Sequence, residues 1–391
     1  MSDLKNKEDM GNVYALGFVS FFTDVSTEMV LSLLPVFILG LPGSSRALLG
    51  LIEGSAEAFS YGLRAVSGFF SDKFRKRKVV VLAGYSLSTV VKPLFGFART
   101  ALDAFVIRVS DRVGKGIRTA PRDALISESV SGDRRGAAFG LHRTLDQMGA
   151  IIGPVIASTV MVVLGFTARD VFWLSFVPGA VALLIIIFFV REWLGEAEGE
   201  FQLLKGLKEV LAGRFSQLLL IVGIFSLGAF NFSFILLNAQ EFGVGDSIIP
   251  IVYAVVNVAH TAIAIPAGVI SDRVGKERVL IMGYGVFLAT TLLMLTSPQN
   301  IAAAFLVASI FGIYMGIVET VQRALVPDYA ESSLRGTAYG LYYLVVGTAF
   351  FVANSIVGAL WELYGSSAAF LYSMGTAIFS ISAMLLFLKT R

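Results

Sequence analysis

The chain is a series of apolar runs separated by short polar loops. Examples are "VPGAVALLIIIFFV" at 177–190 and "AMLLFLKTR" at the C-terminus. About 20 consecutive apolar residues cross a bilayer as a helix. On that measure the sequence predicts about twelve spans. They fall at roughly 14–39, 47–71, 79–98, 102–126, 136–164, 171–190, 215–238, 248–271, 279–297, 302–326, 336–361 and 367–388. Charges interrupt spans 4 and 10, the two weakest. A mean hydropathy of +0.77 and 32 Phe in 391 residues set the chain apart from soluble proteins. The fold class that follows is an all-α membrane protein of twelve transmembrane helices.

The polar loops then orient the chain. With the N-terminus inside, the inner segments hold 19 Lys and Arg and the outer loops only Arg46, Arg99 and Arg169. By the positive-inside rule this places both termini in the cytoplasm of a multi-pass cell-membrane protein. The basic pI therefore reports topology and is no argument for a nucleic-acid partner. The N-terminus "MSDLKNKEDMGN" is polar and the first apolar run exceeds a signal core, so no cleavable signal is expected. Cysteine is absent, which excludes disulfides and thiol chemistry.

Two stretches recur at one offset. "GFFSDKFRKRKVVVL" begins at Gly68 and "GVISDRVGKERVLIM" at Gly268; "RGAAFGL" begins at Arg135 and "RGTAYGL" at Arg335. Both pairs are 200 residues apart, which argues for two homologous six-helix halves. The reading is an N-terminal bundle at 1–190, a cytoplasmic linker at 191–214 and a C-terminal bundle at 215–391. Phe201, Leu204, Leu207 and Leu211 follow helical spacing in the linker and suggest a surface amphipathic helix.

Twelve spans in a 6+6 array, a long central loop and the duplicated G-x-x-x-D-[RK]-x-x-[KR] motif resemble the major facilitator superfamily. "DRVGKGIRTAPRDALI" is similar to a prokaryotic subgroup of it. The resemblance implies two pseudo-symmetric bundles that rock about a central site. It also implies that Asp72 and Asp272 latch the cytoplasmic side, with Asp72 meeting Arg118 or Arg122. Gly68 and Gly268 are expected to permit close helix approach. In the second copy Glu277 stands where the first has Arg77, so that copy carries less positive charge.

Span 4 is the oddest segment. Within "RVSDRVGKGIRTAPRD" (108–123) seven residues are charged, and on a helical wheel they share one face of roughly 140°. A lipid-facing charge at mid-membrane costs about 2.5–3.5 kcal/mol, so this face must meet water or counter-charges. Span 1 offers Asp24 and Glu28; span 2 offers Glu53, Glu57, Ser60 and Arg64; span 5 offers His142, Arg143, Asp146 and Gln147; span 3 adds Lys92. The resemblance implies that spans 1, 2, 4 and 5 line the N-terminal wall of a central cavity. The C-terminal half is nearly neutral, with Glu319, Arg323, His260 and amides such as Asn231 and Asn238. One reading is a purely structural ion-pair network. The other assigns substrate binding to Arg108, Arg112, Lys115, Asn231 and Asn238, and proton coupling to Asp24, Glu28 and Asp146. In it Arg108 or Arg112 neighbours Asp24 or Glu28, so that substrate and proton compete through one cation.

"GAIIGPVIA" in span 5 resembles the G-x-x-x-G-P motif of exporters in that superfamily. Gly149 and Gly153 would let helices close and Pro154 would bend the span. The function expected is a secondary active transporter, a proton-coupled exporter of an amphiphilic or organic-anion small molecule. The alternatives are an importer of a small organic anion and a divalent-metal carrier built on Asp24, Glu28, His142 and Asp146, which the nearby cations oppose. Partners are the substrate, protons and the bilayer around a monomer. No cofactor, bound metal or enzymatic activity is expected, because no nucleophile–base pair, H-E-x-x-H or phosphate loop is present.

Overall fold

The computed structural model describes residues 9–74, 76–131, 134–192, 207–330 and 334–389, without the side chains of 65–74 and 212. The fold is all α. The helices are α1 (Met10–Leu31), α2 (Leu34–Leu39), α3 (Arg46–Phe74), α4 (Arg77–Val91), α5 (Ala101–Glu128), α6 (Arg135–Leu164), α7 (Ala168–Leu174) and α8 (Phe176–Phe189). They continue as α9 (Leu207–Ala212), α10 (Arg214–Ser226), α11 (Phe232–Glu241), α12 (Ile249–Val274), α13 (Lys276–Thr296), α14 (Ile301–Tyr329), α15 (Arg335–Tyr364) and α16 (Ser366–Lys389). A 3₁₀ turn, Lys92–Phe97, extends α4.

Each of the twelve expected spans has a helical counterpart among the described residues. Among the described residues, nine segments are long and apolar enough to cross a membrane. The other three are α3, α5 and the α10–α11 pair. Helix α5 is long enough but too charged to read as lipid-soluble. Span 10, whose apolar run is interrupted by Glu319 and Arg323, is one helix of 29 residues, as its expected bounds require. Span 7 is broken at Leu227–Asn231. There Asn231 caps α11 by accepting from the Ser233 N–H at 2.9 Å. The opened backbone finds partners: the Leu227 carbonyl accepts from Tyr372 Oη at 2.7 Å, and the Asn231 N–H donates to Asn354 Oδ1 at 2.9 Å. Broken helices persist in membranes only when such groups are satisfied. Of the expected linker helix, 193–206 lie outside the described residues and α9 holds the remainder.

The helices form two compact units, Met1–Leu34 with Phe59–Glu200 and Pro35–Ala58 with Phe201–Arg391. The first half of α3 thus groups with the second unit. Small residues explain it: a Cβ on Gly50 would overlap the Asn354 carbonyl oxygen, and one on Gly54 would lie 2.8 Å from that of Phe351. Backbone meets backbone along α3 and α15. Arg46, at the end of that contact, pairs with Glu241 at 3.1 Å and donates its N–H to Glu362 at 2.9 Å.

The repeat is visible in the packing of each unit. A Cβ on Gly116 would meet Leu63 and the Ser60 carbonyl oxygen; one on Gly316 would meet Ile263 and the His260 carbonyl oxygen. All three pairs of positions differ by 200. One end of the first unit is stitched together by polar groups. Asp9 N–H donates to Ser129 O at 2.9 Å, Asn12 Nδ2 to Ser129 Oγ at 2.7 Å, and the Arg77 and Lys78 N–H groups to the Glu192 carboxylate, each at 2.9 Å. Arg77 also pairs with Glu128. The second unit is held by stacked rings: Tyr284 lies on Phe225 with centroids 3.7 Å apart, and Phe230 on Phe311 at 5.9 Å.

Candidate functional site

Helices α1 and α6 run parallel in the first unit, because bare glycines let them touch. A Cβ on Gly149 would overlap the Phe21 carbonyl oxygen and come 3.1 Å from Asp24 Cβ. One on Gly153 would come 2.7 Å from the Val25 carbonyl oxygen and 3.2 Å from Glu28 Cβ. The contact sets polar residues against each other. Ser20 Oγ donates to Asp146 Oδ1 at 2.6 Å, and Arg143 donates to Asp146 Oδ2 at 3.0 Å. The Asp24 and Asp146 carboxyl groups face one another within hydrogen-bonding reach, with Lys115 and Glu28 as the next charges around Asp24. His142, one turn below Asp146, is 5% exposed and its Nε2 has no hydrogen-bond partner among the described residues.

A second layer of charge joins α4 to α5. Gly84 and Gly114 carry no side chain where the helices cross, and a Cβ on either would come within 2.8 Å of the opposing backbone. Asp111 lies between two guanidinium groups, Arg108 at 3.5 Å and Arg112 at 3.8 Å, and all three are buried. Arg118 donates to Ser88 Oγ at 2.6 Å and lies over the Tyr85 ring at 4.4 Å. Lys92, 1% exposed, reaches Thr27 Oγ1 of α1 at 3.0 Å. Cations therefore predominate in this layer, as the sequence of span 4 requires, and much of their counter-charge comes from the same helix.

The remaining candidates are placed as follows. Arg108 and Arg112 form ion pairs with Asp111, whereas Lys115 lies beside Asp24, with Lys92 and Arg118 also in its electrostatic surroundings. Arg122 pairs with its neighbour Asp123 at 2.8 Å. The side chain of Asp72, and Gly68 with it, lie outside the described side chains. Asp272 is exposed. Gly268 does not carry the close approach expected of it: a Cβ there would sit 3.6 Å from Thr320, an ordinary contact. Helix α6 is continuous through Pro154, which is buried. The Asn231 side chain is used in capping α11, by bonds to Ser233 N and, at 2.8 Å, Oγ. Asn238 is 2% exposed, and its Oδ1 has no hydrogen-bond partner among the described residues. No grouping of three or more His, Asp or Glu suited to a metal occurs among the described residues.

The sequence profile of the Major Facilitator Superfamily matches residues 16–237 and 218–391. The chain belongs to that superfamily. It is a multi-pass membrane transporter, and the charge layers just described lie in its first unit. It is similar to an uncharacterized MFS-type transporter of Methanocaldococcus jannaschii, 36% identical over 97% of this chain and 95% of the relative. It is also similar to the multidrug resistance protein MdtG of Proteus mirabilis, 23% identical over 96% of each chain. Among solved structures, a variant of the nucleoside transporter NupG superposes with a TM-score of 0.83 at 13% identity, over 96% of this chain and 99% of that one. The human organic anion transporter MFSD10 superposes with a TM-score of 0.66 at 15% identity, over 97% and 100%. These two share the fold.

Some residues of the site escape sequence reasoning. Ser88 and Tyr85 hold Arg118, but nothing in span 3 marks them apart from Gly84 and the facing Gly114. Lys92 stands out as a lone cation in an apolar span, yet its partner Thr27 is one of many hydroxyls in span 1.

Proposed function

We propose that this transporter is a proton-coupled exporter of an amphiphilic or organic-anion substrate, working by alternating access. The observation that carries the reading is the Asp24–Asp146 carboxyl pair beside Lys115. Two carboxyl groups in contact are suited to sharing one proton. Lys115 balances the charge of Asp24 and is also a cation for a substrate anion to engage, so the carboxyl pair and the substrate share one ammonium group. Binding and protonation are linked through that one group, without a long-range pathway. Lys115 takes the role that the sequence reading gives to Arg108 or Arg112, while those two brace the site through Asp111. The Gly149 and Gly153 contacts favour export, since they resemble the superfamily's exporter motif, and the likeness to a multidrug resistance protein points the same way.

The proposal includes the topology read from charge: both termini and the 191–214 segment in the cytoplasm of a monomer, with six-helix halves at 1–190 and 215–391. Asp72 and Asp272 latch the cytoplasmic side, and Asn238 contributes the polar group of the largely apolar half. Thermal stabilisation of the purified protein across a compound library identifies ligands. Each ligand is then tested for proton movement in liposomes. Ligand transport with no accompanying proton flux, at any pH gradient, overturns the coupling. Uptake from the outside driven by an inward proton gradient overturns the direction.

A further inference from the structure

We propose that protons reach the Asp24–Asp146 pair through His142, along the seam between α1 and α6. The inference rests on the proton-coupled reading above and adds the route. The seam is a ladder of matched levels. Gly17 lies beside His142, with a Cβ there 3.9 Å from His142 Cα; Ser20 bonds Asp146; Asp24 lies beside Gly149; Glu28 lies beside Gly153. His142 and Asp146 are one helical turn apart on α6, as are Asp24 and Glu28 on α1. Titratable groups therefore follow one another from Glu28 through Asp24 and Asp146 to His142.

The ladder has one open end. Past His142 the seam runs toward the start of α6, where Gly136, Phe139 and Gly140 are exposed. On the proposed topology that end faces the cytoplasm. His142 is the last buried titratable group of the ladder on this side, and its Nε2 carries no hydrogen-bond partner among the described residues. A neutral imidazole with one free nitrogen accepts a proton there and releases one from the other nitrogen, which a structural histidine satisfied on both sides does not do. The proton passes from the carboxyl pair to the imidazole and then to water at the exposed end, or the reverse, with no other bond made or broken.

The charges around the route are set on α1, α5, α6 and the 3₁₀ turn that follows α4. Arg122 and Asp123 of α5 face His142, as do Arg143 and Asp146 of its own helix. From α1 the seam presents Gly17 and Ser20 at this level, with no titratable group. The charged residues of α7, Arg169 and Asp170, lie by the other end of α6. Lys115, Glu28, Lys92 and Arg118 surround Asp24, and Lys92 also stands near Glu28. Arg143 holds Asp146 Oδ2 while Ser20 holds Oδ1. The acid at the head of the route is fixed in position while protons pass.

The test needs no substrate. The full-length protein is reconstituted in proteoliposomes on a solid-supported membrane, and a pH jump supplies protons as the only probe. Wild type gives a transient displacement of charge, and Asp24→Asn removes it. His142→Gln keeps the total displaced charge but relaxes at least about tenfold more slowly, the loss expected when a proton-transfer group is removed. His142→Glu, which carries a proton without an imidazole, restores the rate. Thermal melting confirms that each variant is folded, and His142→Asn replaces the Gln variant if that one is not. An unchanged relaxation rate in a folded, neutral His142 variant overturns the route and leaves the carboxyl pair standing. Full charge displacement in Asp24→Asn overturns the proton-coupled reading itself, and the route with it.

Discussion

Gly153 rests on Val25: a methyl group at Gly153 would come 2.7 Å from the Val25 carbonyl oxygen. The contact holds α1 against α6 and sets Glu28 and Asp24 in the seam. Larger side chains there must wedge the helices apart. Gly153→Leu is expected to destabilise the protein by about 1–3 kcal/mol, the usual cost of overpacking. Gly268→Ala, with 3.6 Å to its nearest neighbour, should be neutral or stabilising by up to about 1 kcal/mol through helix propensity. Unfolding of the purified proteins in detergent, followed by heat or denaturant, checks both.

Asp111 neutralises two buried guanidinium groups at 3.5 and 3.8 Å. Asp111→Asn leaves both without this carboxylate, at a cost of roughly 3–5 kcal/mol. Adding Arg112→Gln removes one of the stranded cations and should recover part of the loss. A double-mutant cycle on stability measures this, and strict additivity of the two changes would show that the pairs do not interact.

Lys115 and Arg112 are expected to separate by phenotype. Lys115→Gln should leave stability within about 1 kcal/mol, since this side chain is only half-buried, while abolishing the pH dependence of ligand affinity. Arg112→Gln should lower stability first. Ligand affinity measured against pH for the two variants decides between them; a pH-independent affinity in Arg112→Gln with normal stability would restore Arg112 to the coupling role.

Asn231 caps α11 at the break in span 7. Asn231→Ala should cost about 1 kcal/mol from the lost cap. Asn231→Asp, which caps as well, should cost less. If both variants keep their stability and lose ligand affinity, Asn231 is a binding residue and the cap is incidental.

The cysteine-free chain suits a direct test of orientation. Lys76→Cys and Lys276→Cys should react with a membrane-impermeant maleimide only from the cytoplasmic side, and Arg99→Cys only from outside. Labelling of Lys76→Cys and Lys276→Cys from opposite sides would end the parallel-repeat reading.

Most of the architecture is legible in the residues alone. Bilayer thickness sets the length of an apolar run, so twelve helices can be counted without a structure. An offset of 200 between two copies of one motif announces a duplicated fold, and the Gly116–Ser60 and Gly316–His260 contacts carry the same offset. The need to shelter span 4 also follows from helix geometry and the cost of charge in lipid. Which group answers which charge does not follow. A helical wheel gives direction but no distance, so it cannot tell that Asp111 takes both Arg108 and Arg112, or that Lys115 comes to lie beside Asp24. Those pairings depend on how deeply one helix sinks into another. That depth is set by backbone contacts at Gly149, Gly153, Gly84 and Gly114, between residues far apart in the chain. The same limit applies to Asn231, a plausible ligand on sequence that proves to cap a helix, because only the folded chain shows where span 7 breaks.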